Sequence, residues 1–203
     1  MIREASPDLP RLFFAVPLDD AACAAVSGLV ADVQGAAEAL AEGRRSPVRW
    51  VRLDGLHVTL RFLGPAPDER LPELAGIVDA SAASSAPFDV RISGAGAFPS
   101  PRRPRTLWLR IADGADAFAD LARRVDAALA AVGWALEDRP FRPHLTLARA
   151  DGRREGPSVA RLLTERASTF ETGFRADRLV LYESITGGGP ARYVDRHSAR
   201  LGG

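Results

Sequence analysis

Lysine is missing from this chain: of 203 residues, all 27 basic ones are arginine. Schiff-base catalysis, a covalent lysyl-nucleotide and a phosphate loop ending in GK[ST] all need a lysine amine, so each is excluded. Cysteine is nearly as scarce. The lone Cys23 cannot close an intramolecular disulfide, which agrees with a reducing compartment. No apolar run approaches the ~18 residues of a membrane span, and the opening MIREASPDLPRLFFAV lacks the basic head and cleavage site of a secretory signal. The expectation is a cytoplasmic protein with no membrane partner. A net charge of +1 argues against strong nonspecific duplex binding but leaves room for a small anion site. Helical His-x-x-x-His and Gly-x-Ser-x-Gly are also absent, which removes the usual signatures of hydrolytic zinc and of a serine nucleophile.

What is present alternates between strand and helix. Arg11–Leu18 is apolar and β-prone, and Asp19 and Asp20 follow as caps for a helix carrying Val26, Leu29, Val30, Val33, Ala37 and Leu40, which ends near Gly43. Short strands are expected at Val48–Val51 and Leu56–Leu63, then a helix opened by Pro65 and Pro67 with Leu71, Leu74, Ile77 and Val78 on one face. Phe88–Phe98 and Thr106–Ile111 are strands. A helix with Phe118, Leu121, Val125, Leu129 and Val132 on its stripe is closed by Gly133. The strand Phe141–Arg149, a helix near Ser158–Arg166 and strands at Phe174–Glu183 and Ala191–Val194 complete the chain. Strand, acidic turn, helix and His-x-Thr-Leu occur in this order twice, so two similar α+β lobes around a cleft are expected. They form one unit over residues 1–203, with 1–10 and 197–203 loose.

The two His-x-Thr-Leu strands carry the chemistry. Residues i and i+2 of a strand share a face, so His57 points with Thr59, and His144 with Thr146, while Val58, Leu60, Leu145 and Leu147 turn inward. One such strand has an ordinary structural explanation. Two in matching contexts point to a paired role. Imidazoles titrate near pH ~6.5, so one can accept a proton while the other donates. Displacement at phosphorus needs that division, because entering and leaving oxygens lie on opposite sides. The threonine hydroxyls suit nonbridging oxygens.

The strings RLFFAVPL, RWVRLDGLHVTLRFLG, GAFPSPRRPRTLWL, RPFRPHLTLAR and RLVLYES, in order across residues 11 to 195, resemble the bacterial RNA 2′,3′-cyclic phosphodiesterase family. That family has long been called 2′-5′ RNA ligases and lies within the 2H phosphoesterase superfamily. The resemblance implies a bilobal α+β fold of two antiparallel sheets related by pseudo-twofold symmetry, helices packed outside and the active site in the central cleft. It implies hydrolysis of RNA 2′,3′-cyclic phosphate ends to 2′-phosphomonoesters, with no metal and no cofactor, and reverse 2′-5′ ligation by the same groups. A monomer is expected. On this resemblance His57 is the proton donor, His144 the proton acceptor, and Thr59, Thr146 and Arg149 bind the phosphate. The residues alone leave acid and base interchangeable. They also leave open a cyclic phosphodiesterase for small nucleotides and a non-catalytic module for RNA ends.

Strand parity conflicts with the resemblance at one place. Counted from His144, Arg149 falls on the wrong face, so the strand must end or bulge before it; Arg61 has the right parity but no role demanded of it. Arg102, Arg103 and Arg105 lie in an exposed turn that could track RNA phosphates. Phe13 and Phe14 are candidates to stack on a base, although a buried strand explains both, and His197 reads as a surface residue.

Overall fold

The apolar run after Pro10 becomes β1 (Arg11–Pro17), in which Leu12 to Val16 are all buried. The computed structural model describes residues 9–41, 48–135, 140–152, 156–187 and 189–202. After β1 come α1 (Asp20–Ala41), β2 (Arg49–Trp50), β3 (His57–Pro65), α2 (Leu71–Ala83), β4 (Phe88–Phe98), β5 (Thr106–Asp113) and α3 (Ala115–Ala131). Then follow β6 (His144–Arg149), α4 (Gly156–Arg166), β7 (Glu171–Ala176), β8 (Arg178–Ile185) and β9 (Arg192–Arg200). Asp19 caps α1 as its side chain suggested, its Oδ1 accepting the Ala22 N–H at 2.8 Å. The expected helix end near Gly43 and most of the expected loose N-terminus lie outside the described residues.

All strands pair antiparallel in one sheet of order β7-β4-β5-β6-β3-β1-β8-β9, with β2 alongside β6. The two expected sheets are therefore two four-stranded halves of a single one. A single paired position, Val58 with Leu145, joins them. The β1–α1–β3 and β5–α3–β6 units hold matching places on the two sides of this seam, as the repeated motif order suggested. Helices α2 and α3 pack together against β8, β9, β3 and β5, and α1 and α4 pack together against β7 and β4. One hydrophobic core runs beneath both halves.

The expected strand Phe174–Glu183 is two strands. Asp177 alone separates β7 from β8, yet the two lie at the first and seventh places of the sheet order. Two peptide steps span at most ~7 Å, so the sheet must curl until its β7 edge nears β8. The result is a half-barrel. Polarity hid the break, because the apolar pattern runs on either side of Asp177 without a Gly or Pro to interrupt it. The tail expected to be loose from 197 is ordered instead: β9 continues to Arg200 and Leu201 is buried. Val132 also leaves its expected stripe, since α3 ends one residue earlier. There Gly133, at φ +81°, and Trp134 donate N–H groups to the Ala130 and Leu129 carbonyls. Among the described residues no helix is long and apolar enough to cross a membrane.

Candidate active site

Both histidine strands contain the same irregularity. Along β3, Thr59 pairs with Ala15 but Arg61 with Phe14, so Leu60 is an extra residue; along β6, Thr146 pairs with Trp108 but Ala148 with Leu107, so Leu147 is. A bulge reverses side-chain parity. Arg149 thus returns to the face of His144 and Thr146 and lines the cleft, which resolves the parity conflict in favour of the bulge. Arg61 moves the other way. It is buried and forks onto Asp126 of α3, Nε to Oδ1 at 2.6 Å and Nη2 to Oδ2 at 2.5 Å, so the expectation that it shares the histidine face is corrected. Phe62, the match of Arg149 in the other half, faces the cleft and is 41% exposed.

The seam sets the histidines' spacing. Val58 opposite Leu145 puts Thr59 level with His144 and Thr146 level with His57. Regular ladder spacing then leaves roughly 7–8 Å between the two histidine positions along the diagonal, somewhat less between their Cβ atoms, enough for a phosphoryl group between the rings. His57, Thr59, Thr146 and Arg149 line a cleft of about 700 Å³, together with Phe62 and Tyr193. His144 is not part of this lining. It stands beside it, half-buried, edge-on to Phe98 at 5.1 Å and near Trp108 at 6.2 Å.

Each ring is anchored alike. Nδ1–H of His57 donates to the Gly55 carbonyl at 2.7 Å, and Nδ1–H of His144 donates to the Arg142 carbonyl at 2.7 Å. A carbonyl only accepts, so Nε2 is the free nitrogen of both neutral rings. Phe13, Tyr182 and Tyr193 enclose His57 at ring-centroid distances of 4.9, 5.7 and 4.8 Å. Burial accordingly pushes its pKa down to about 4, against the Gly55 hydrogen bond. Burial lowers the His144 pKa as well, opposed by the Arg142 bond and aided by the Arg149 charge. Burial raises Tyr182 to about 12 and raises Tyr193, so both keep their phenolic protons.

The stacking candidates fare poorly. Phe14 is wholly buried and Phe13 is 2% exposed, its ring lying against His57. Sequence reasoning missed Phe62, Tyr182, Tyr193, Phe98 and Trp108. Alternation in β8 and β9 could have marked the tyrosines as facing one side, but nothing local pairs them with His57. His197 sits on β9 with Nε2 at 2.8 Å from Asp79, away from the cleft, and Cys23 has its pKa raised by burial and by Asp20 and Asp19. Among the described residues no three His, Cys, Asp or Glu side chains gather as a metal site would require.

Gly96 tests the wall behind His144. A Cβ there would lie 2.4 Å from the Trp108 ring, which is held by Phe98 at 4.9 Å. Gly96→Ala should therefore cost roughly 1–3 kcal/mol by overpacking and lower turnover as the indole shifts against His144. A variant with unchanged thermal midpoint and rate would show that the wall is soft.

The family model described as the 2′-5′ RNA ligase superfamily matches residues 19–188. A protein of Methanothermobacter thermautotrophicus named RNA 2′,3′-cyclic phosphodiesterase is 32% identical over 192 residues, 94% of this chain and 98% of its own length. One of the same name from Aeropyrum pernix is 33% identical over 68% of this chain and 78% of its own. A solved structure from Thermus thermophilus superposes with TM-score 0.70 at 27% identity, covering 95% of this chain and 98% of that one. Relatives are thus archaeal as well as bacterial. With a family model spanning most of the chain and a relative aligned almost end to end, this protein belongs to the 2′-5′ RNA ligase superfamily.

Proposed function

We propose that the protein hydrolyses RNA 2′,3′-cyclic phosphate ends to 2′-phosphomonoesters by two-histidine acid–base catalysis. One observation carries the reading: two imidazoles, each with Nδ1 fixed to a carbonyl and Nε2 free, meet across a single seam beside Arg149. The names of the relatives agree with the substrate it assigns. His144, the less buried of the two rings, takes the proton of an attacking water through Nε2. His57, enclosed by aromatic rings, gives its Nε2 proton to the departing 3′-oxygen. The P–O3′ bond breaks as the new P–O bond forms, leaving the phosphate on O2′. Thr59, Thr146 and Arg149 hold the nonbridging oxygens, where charge is concentrated. Reverse joining would put an RNA 5′-hydroxyl in the place of water and use the same groups.

Burial opposes a proton on His57 in the empty site. The cyclic phosphate anion supplies the missing stabilisation, since a negative charge within a few ångströms raises an imidazole pKa. This gives a pH signature. In the free enzyme both rings titrate below the usual 6.5, so the form with one protonated and one neutral ring is most abundant on the acid side. The profile of kcat/KM, which reports the free enzyme, should peak below pH 6.5 and fall toward pH 8, while kcat should peak at higher pH. A kcat/KM optimum above pH 7 would count against this protonation scheme.

The direct test is an oligonucleotide ending in a 2′,3′-cyclic phosphate, incubated with the protein and a chelator, with the product analysed for phosphate position. A 2′-phosphomonoester is expected. Tight binding without turnover would instead make the protein an RNA-end binding module, and loss of activity with chelator would bring a metal into the reaction.

A further inference from the structure

A second cavity of about 710 Å³ adjoins the cleft and has no part in the chemistry above. Phe98, Arg103, Arg105 and Thr106 line it, with Asp151 at its side. Thr106 is the shared wall, because its hydroxyl accepts Arg149 Nη1–H at 2.6 Å while Arg149 faces the cleft. Phe98 is the other joint, through its edge contact with His144.

Its lining carries two arginines, Arg103 and Arg105. Arg52, Arg61, Arg91, Arg175 and Arg196 all sit in ion pairs. Arg103 and Arg105 are exposed and make none among the described residues, and Asp151 is already engaged. Their backbone is nevertheless fastened: Arg103 N–H donates to Ser100 O at 3.1 Å, Arg105 N–H to Phe98 O at 2.7 Å, and Ala150 N–H to Arg105 O at 3.1 Å. Two guanidinium groups without an ion pair among the described residues, on a fixed backbone beside an aromatic ring, match what a single strand of nucleic acid requires, cations for phosphates and a ring for a base.

We propose that this cavity is a subsite for the RNA strand upstream of the cyclic phosphate, and that it makes oligonucleotides better substrates than cyclic mononucleotides. The inference rests on the function proposed above and names the substrate class of that site. A cyclic mononucleotide ends at its 5′-hydroxyl and has no phosphodiester beyond the reacting one to place beside Arg103 and Arg105. A strand has one next to the reacting nucleotide.

The test compares kcat/KM for a tetranucleotide ending in a 2′,3′-cyclic phosphate with that for the corresponding cyclic mononucleotide, in wild type and in Arg103→Ala/Arg105→Ala. Wild type should favour the tetranucleotide about tenfold or more, and the double variant should reduce that ratio by about tenfold, the loss of charge-assisted contacts to phosphate. Raising salt on the wild type should also reduce the ratio, because phosphate contacts release counterions. Equal turnover of both substrates by wild type, or an unchanged ratio in the variant, overturns the subsite and leaves the proposed function standing. No turnover of either substrate overturns both.

Discussion

His57→Ala and His144→Ala should each lower kcat/KM on a cyclic-phosphate oligonucleotide by ~10²- to 10⁴-fold, the usual contribution of one positioned proton transfer. The double variant should be little worse than either single one, because residues that act as a unit are not additive. Their order is separable by the leaving group. A p-nitrophenyl phosphodiester releases p-nitrophenolate, a stabilised anion that needs no proton, so this substrate should restore most of the rate lost in His57→Ala and little of that lost in His144→Ala. The opposite pattern would exchange acid and base. Full activity in either single variant, with the fold intact by thermal melting, would remove the two-histidine mechanism altogether.

Arg61→Ala should cost about 3 kcal/mol, at the low end for breaking a buried ion pair, because Asp126 keeps its charge after its fork is removed. A lower urea midpoint would show it. Turnover per folded molecule should hardly change, since Arg61 lies on the helix side of the sheet. Replacing both partners with apolar residues, Arg61→Met with Asp126→Leu, should recover most of the loss, as an apolar pair leaves no charge without a partner. A catalytic defect in Arg61→Ala at normal stability would put the residue back on the histidine face and contradict the bulge.

These two expectations separate what could be read locally from what could not. Alternation placed His57 with Thr59 and His144 with Thr146, because parity over two residues depends only on the strand itself. The bulges at Leu60 and Leu147 depend on which residues of β1 and β5 lie opposite, so HVTLRF and HLTLAR look regular in isolation. That is why Arg61 was expected on the wrong face, and why Arg149 needed a break before it. The aromatic enclosure of His57 was hidden for a similar reason: Tyr182 and Tyr193 arrive from strands more than a hundred residues away. The division at Asp177 left no mark, because both sides of it read as strand.

The matching bulges also bear on orientation. A scaffold of two equal halves has no front or back, and a cyclic phosphate could settle into it either way round, with half of its encounters wasted. After the bulge one half presents Phe62 and the other Arg149. A ring on one flank and a cation on the other make the cleft polar in the sense that a keyhole is, and a substrate with a base at one end and an anion at the other fits it in only one direction.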